Sequence, residues 1–329
     1  MTITSAEFES RIKPFRRELL VHCYQLLGSV HDAEDLVQET LLRAWRAFDR
    51  YDDRRASLRT WLYRIATNVC LTALEKRKRR PLPSGLGGPS EDAEGPLIRG
   101  REVPWLQPFP DRLLGTERND PAMILAARGR LRLALVAAMQ FLPARQRAVL
   151  ILRDVLDWSA AEVADLLGTS SAAVNSALQR ARARLAEVGV GVGEEQITEP
   201  ADRAGRAIID QYVAAFEHAD LVALKRLLTA DAVLEMPPFL NWFAGREAYG
   251  RFMSRFFGMR GTGLRMIPTA ANGQPAGAAY VRDQEGIFRL HTLQVFSVTA
   301  AAVSRNTVFQ DAEVFALFQL PATLPMATG

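Results

Sequence analysis

Residues 158–185, WSAAEVADLLGTSSAAVNSALQRARARL, hold two short amphipathic helices and the turn between them. Ser159 stands three residues before Glu162, the spacing of a capping box, so a helix begins at Ala160. Ala160, Val163, Ala164 and Leu167 recur at helical spacing and give that helix one apolar face. Gly168 follows where a left-handed residue closes a helix, and Thr169 and Ser170 supply the cap of the next. The second helix puts Val174, Leu178, Ala181 and Leu185 inside and leaves Ser171, Asn175, Gln179, Arg180, Arg182 and Arg184 outside. An ordinary helical hairpin with a basic solvated face has the same periodicity. Two linked caps, a one-turn gap and arginines without interleaved acids favour a helix-turn-helix whose second helix enters a DNA major groove.

The chain has 329 residues, enough for two or three domains with separate cores. Its net charge of +4 is unevenly spread: residues 11–80 carry +7 and 128–190 carry +4, whereas 81–127 carry −3 and 191–329 carry −2. Two basic blocks separated by an acidic one suggest two phosphate contacts, followed by an acidic tail domain. Cys23 and Cys70 both fall on apolar helical faces, and no spacing resembles a disulfide framework or a metal site. No cofactor is implied. The N-terminus lacks a basic-then-apolar signal pattern, and no apolar run reaches the length of a membrane span. A cytoplasmic protein without a membrane partner is the expectation.

A helix is expected from Phe15 to Leu27, ending at Gly28, and Ser29 caps the next, with Asp32 in its first turn. Along that second helix Ala33, Leu36, Val37, Thr40, Leu41, Ala44, Trp45 and Phe48 form one buried stripe. The opposite face carries Asp35, Gln38, Glu39, Leu42, Arg43 and Arg46, which reads equally as a solvated surface or as a docking site for a partner helix. A third helix, capped by Ser57, is expected to run to about Arg80. It exposes Arg59, Thr60, Trp61, Arg64, Asn68, Thr72, Arg77 and Arg79. Cations at a helix C-terminus suit the helix dipole, but five in a row, Lys76 to Arg80, exceed that need. Aromatics beside arginines and an asparagine suit opened DNA, where bases stack.

HDAEDLVQETLLRAWRAFDRYDD followed by LRTWLYRIATNVCLTALEKRKRR resembles region 2 of the extracytoplasmic-function sigma factors of the sigma-70 family. FLPARQRAVLILRDVLDWSAAEVADLLGTSSAAVNSALQRARARL resembles their region 4. The resemblance implies a subunit that binds core RNA polymerase, recognises promoter DNA and helps to open it. By similarity, Asp35, Gln38, Glu39 and Leu42 dock on the clamp coiled coil of the largest polymerase subunit. The Tyr51 to Arg59 loop captures a flipped −10 base, Trp61, Arg64, Asn68 and Thr72 hold the opened strand or its upstream edge, and Arg77, Arg79 and Arg80 meet phosphates. Asn175, Ser176, Gln179 and Arg180 read the −35 element, and Arg147, Arg182 and Arg184 position the helix on the backbone. Ala172, Ala173, Asn175 and Ala177 depart from the commoner pattern, which has Gly-Thr, a basic residue and an arginine there.

Pro81 to Pro121, rich in Pro and Gly, reads as a linker whose aromatic middle, VPWLQPFPDRLL, either threads into a polymerase channel or packs on the tail domain. A long helix is expected from Pro121 to Phe141, with the next starting at Pro143. Residues 189–202 read as a second linker. Beyond it, helices at 201–217, 221–228 and 246–257 and strands at 232–236, 264–270, 276–282, 287–297 and 303–309 make an α+β domain. Their order and the motif LTADAVLEMPPF resemble the SnoaL-like cone, and sigma factors with such a tail form a subgroup that PWLQPFPDRLL and VNSALQRARARL also match. The organisation expected is therefore region 2 at 11–80, a linker at 81–121, region 4 at 122–188, a linker at 189–202 and the cone at 203–320. Two all-α regions thus precede one α+β domain.

A cone encloses an apolar pocket, so Asp231, Glu235, Asp283 and His291 are its candidate polar groups, and Trp242, Phe252, Phe256, Tyr280 and Phe288 its candidate lining. No titratable pair has a spacing that supports acid–base chemistry, and a tail that regulates the sigma regions by contacting them is expected rather than an enzyme. A small-molecule ligand of the pocket is compatible with that role. The competing reading is a stand-alone helix-turn-helix regulator with a ligand-binding or enzymatic tail.

Overall fold

The computed structural model describes residues 4–114, 131–187 and 203–325. The chain forms two compact units, Met1–Arg80 with Arg112–Glu195, and Pro81–Asp111 with Gln196–Gly329. The first part of the helix expected after Pro121 and the linker at 189–202 lie outside the described residues.

The first unit is helical. Helices α1 (Ser5–Ile12), α2 (Arg16–Leu27), α3 (Val30–Ala47) and α4 (Leu58–Leu74) precede α5 (Leu133–Met139), α6 (Ala144–Leu150), α7 (Ala160–Leu167) and α8 (Ser171–Glu187). Local chemistry sets most of the ends. Ser29 Oγ accepts from Asp32 N, Ser57 Oγ from Thr60 N, and Gly28 closes α2 at φ 71°. Leu19, Cys23, Leu26, Val37, Leu41, Leu62, Ala66 and Val69 are buried where α2, α3 and α4 meet. Trp45, expected inside, stays 37 % exposed on the outer edge of α3, with its ring edge-on to Phe8 at 5.1 Å. Helix α4 ends at Leu74 rather than near Arg80. Five successive cations repel along a helix, the residue before Pro81 is driven to an extended conformation, and Asp32 holds Arg77 and Arg80 outside the helix at 2.6 and 2.7 Å.

A π-helical turn, Ile151–Val155, continues α6 and leads to the helix-turn-helix. The Ser159–Glu162 capping box forms, and its hydrogen bonds hold the Glu162 carboxyl below the usual range. Gly168 adopts φ 61°, and Ser170 Oγ accepts from Ala173 N. Val174, Leu178, Ala181 and Leu185 are buried along α8, as their spacing requires.

The second unit is α+β. Helices α9 (Arg203–Glu217) and α10 (Leu221–Arg226) lead into β1 (Leu228–Glu235), β2 (Trp242–Ala244) and α11 (Arg246–Arg260). Then come β3 (Leu264–Ala271), β4 (Gln274–Arg282), β5 (Phe288–Val298), β6 (Val303–Phe309), α12 (Ala312–Leu317) and β7 (Thr323–Leu324). The sheet order is β2-β1-β6-β5-β4-β3, with β7 paired to β5; β1 and β6 run parallel and the other pairs antiparallel. Asn272 and Gly273, at φ 56° and 68°, make the tight β3–β4 turn. Tyr212, Phe216, Tyr249, Met253 and Phe257 from α9 and α11 bury against Leu234, Met266, Ala279 and Phe296 of the sheet, so the helices close the core of the α+β domain.

Residues 81–111 belong to this second unit and form a strap on it. Ser84 donates through N and Oγ to Glu235, Ser90 N to Trp242 O, Ile98 N to Asn241 Oδ1, and Gly100 N to Pro238 O. At its end Phe109 N donates to Asn272 Oδ1 at 2.7 Å, and Asn272 N returns a bond to Phe109 O at 2.8 Å. Leu106 and Phe109 of the aromatic stretch are buried. Of the two fates read for that stretch, it takes the packed one here.

Candidate nucleic-acid interface

Helix α8 presents Ser171, Asn175, Gln179, Arg180, Arg182 and Arg184 to solvent, and Ser176 is half-buried. Nearly four turns of helix therefore carry exposed amide, hydroxyl and guanidinium groups. Arg180 Nη1 donates to Ser176 Oγ at 2.6 Å, which orients the guanidinium along the helix. Arg182 instead makes a bidentate pair with Asp154 at 2.7 and 2.9 Å. A phosphate must compete with that carboxylate for Arg182.

On α4, Trp61 is half-buried beside Tyr51 at 5.0 Å and Phe48 at 6.0 Å, while Asn68 and Thr72 are exposed one turn apart. Thr72 Oγ1 donates to Asn68 O. Arg59 donates to Glu18 at 2.8 Å and lies over the Tyr63 ring at 4.8 Å; burial drives the Tyr63 phenol pKa far up. Arg64 is paired to Asp165, Arg77 and Arg80 to Asp32, and Arg79 lies over Phe141 at 4.5 Å. These acids escaped the sequence reading because Asp32 and Arg80 are 48 residues apart and Asp154 and Arg182 are 28. No local spacing signals such pairs.

Arg147 corrects the sequence reading. It is only 4 % exposed, and its guanidinium donates to the carbonyls of Leu26, Gln140 and Leu142 and to Gln140 Oε1. Burial lowers its pKa to about 10, so it remains a cation at neutral pH. Here it ties the loop before α6 to the end of α2, and a DNA phosphate has no access to it.

On α3, Asp35, Gln38 and Leu42 are exposed, Leu42 at 43 %, and Glu39 is half-buried in an i,i+4 pair with Arg43 at 2.6 Å. An exposed leucine framed by polar groups thus lies between the acidic start and basic end of the helix.

In the second unit, Phe252, Phe256 and His291 line a cavity of about 240 Å³, as expected, but Asp231, Glu235, Asp283, Trp242, Tyr280 and Phe288 do not. Glu235 is buried between Ser84, Arg305 and Thr307; Asp283 pairs with Arg289; the Trp242 indole donates to Gly87 O and the Tyr280 hydroxyl to Pro321 O. Alternation along a strand picks the face of a side chain, not the part of the face that a helix leaves uncovered.

A three-helix bundle carrying a basic aromatic helix, followed by a capped helix-turn-helix, is the build of a DNA-binding transcription factor. Residues 12–80 match the family model of Sigma-70 region 2, and residues 132–185 that of Sigma-70, region 4. The chain belongs to the extracytoplasmic-function RNA polymerase sigma factors and directs transcription initiation as they do. It is 49 % identical over 321 residues to the ECF RNA polymerase sigma factor SigG of Mycobacterium tuberculosis (strain H37Rv), covering 97 % of this chain and 85 % of that one. It is 28 % identical over 262 residues to SigJ of the same strain, covering 78 % and 75 %. The crystal structure of the latter superimposes with a TM-score of 0.65 at 21 % identity over 95 % of this chain and 99 % of that one, so the whole fold is shared.

Proposed function

We propose that Asn175, Ser176, Gln179 and Arg180 read the −35 element, with Ser171, Arg182 and Arg184 on its backbone. The observation that carries this is the exposed polar side of α8 beyond an intact double cap. Arg59, Trp61, Arg64, Asn68, Thr72, Arg77, Arg79 and Arg80 engage the −10 region, and Asp35, Gln38, Glu39 and Leu42 dock on core RNA polymerase. Work with core polymerase places the protein in the cytoplasm; no helix among the described residues is long and apolar enough to cross a membrane. Run-off transcription with purified core polymerase tests the assignment. Arg180→Ala and Asn175→Ala each lose roughly 1–3 kcal/mol of promoter affinity, and unchanged transcription removes them as readers. Specific, tight DNA binding without core polymerase in a gel shift favours a stand-alone regulator instead.

The second unit regulates the sigma regions without catalysing a reaction. Supporting this, the segment between the two DNA-binding regions is bound to that unit, whereas three of the four polar candidates for chemistry stand away from its cavity. Asn272→Gly and Asn241→Ala remove side-chain acceptors of strap amides. Unaltered output, core affinity and promoter choice in both variants would count against regulation, and turnover of any substrate by the purified chain against the absence of catalysis.

A further inference from the structure

The cavity of the second unit has an uneven charge pattern. Phe252, Phe256 and Met259 of α11 give it apolar walls, and Leu97 of the strap completes them. Arg255 and Arg260 are the charged residues that line it, and no aspartate or glutamate does so. Arg255 is committed to Gly95 O at 2.6 Å, whereas Arg260 is exposed and has no ion pair among the described residues. An unneutralised guanidinium at the rim of a low-dielectric cavity favours an anion there.

His291 adds a neutral donor. Its ring stacks on Phe256 at 6.0 Å, and Gln310 Nε2 donates to Nδ1 at 3.3 Å, which puts the ring proton on Nε2. Burial first, and then Arg260, hold its pKa down to about 4, so the ring stays uncharged at neutral pH. The volume of about 240 Å³ is below the ~300–1,000 Å³ of sites for drug-sized molecules, so a small occupant fits.

We propose that this cavity binds a small carboxylic acid with an apolar body, its carboxylate beside Arg260 and His291 and its apolar end among Phe252, Phe256 and Leu97. The strap supplies one wall, so the occupied site includes a piece of the segment that joins the two DNA-binding regions. Binding itself does not depend on the regulatory reading, and its test needs no transcription.

The test is calorimetric titration of the full chain with 3-phenylpropionate and octanoate, each against its neutral amide. The acids bind at one site, roughly ten-fold or more tighter than the amides, the share of a charge-assisted hydrogen bond. Arg260→Gln, at an exposed position, brings the acids down to the level of the amides. Met259→Glu, 63 % exposed in the wild type, weakens the acids further by adding like charge. Hydrogen exchange at the Ile98 and Gly100 amides of the strap slows when acid is bound. Equal binding of acids and amides, binding by none of the four, or full acid affinity in Arg260→Gln overturns the proposal; acid binding without slower exchange at those amides removes the strap from the site.

Discussion

Arg147 shows how one buried cation changes the meaning of a basic segment. Its guanidinium satisfies three carbonyls of buried residues, so its removal strands them. Arg147→Ala is expected to cost roughly 2–4 kcal/mol in urea unfolding; a loss of DNA affinity at unchanged stability would restore it as a phosphate contact. His22 provides a second residue-level prediction. It is buried with Nε2 at 2.9 Å from Thr67 Oγ1, and burial, then Arg59, lower its pKa to about 3. The unfolded chain binds a proton near the ordinary imidazole value of 6.5, so stability contributed by neutral His22 is present above that pH and is lost as pH falls toward 3. His22→Leu should flatten that loss in α2 and α4, read by hydrogen exchange between pH 6.5 and 3. An unchanged pH profile would assign the acid sensitivity elsewhere.

At the scale of elements, the helix-turn-helix was legible because its signals are local. Ser159 and Glu162, Gly168, and Ser170 each act within four residues, and all three devices form. Gly168→Ala meets no atom within 4 Å, so its cost is purely conformational, about 1 kcal/mol from forcing a Cβ into the left-handed region, with DNA affinity falling in step. Helix α4 was legible at its start and overrun at its end; the cation run and Pro81 are local signals, but Asp32, which holds Arg77 and Arg80 off the helix, lies on another helix. The arginine–acid pairs were hidden for the same reason. Asp165→Asn frees Arg64 from its partner. If Arg64 meets a phosphate, the salt dependence of promoter binding steepens by about 0.9 in log–log slope; an unaltered slope places Arg64 off the backbone.

At the scale of the whole molecule, the order of helices and then strands was readable from periodicity, including the Asn-Gly turn. Strand β2 was not, because three residues of WFA cannot show alternation, and α12 falls outside the periodic stretches. The strap was legible only in part: its aromatic middle left packing on the tail domain as one of two fates, but its individual partners lie about 150 residues away in sequence, where no local spacing points. Asn272→Gly keeps the left-handed turn while removing the carbonyl that holds Phe109. Trypsin cleavage after Arg99 and Arg101 should then accelerate about ten-fold through easier local opening; equal rates would show that the other strap bonds suffice.

The strap also imposes a schedule on synthesis. Phe109 and Asn272 are 163 residues apart. At ribosomal rates of ~5–20 residues per second, roughly 8–33 s pass between the emergence of the one and of the other. Both DNA-binding regions are translated before the strap between them has a surface to dock on. During that interval the nascent sigma factor carries an undocked tether, and Phe109 finds its partner only once Asn272 has been made.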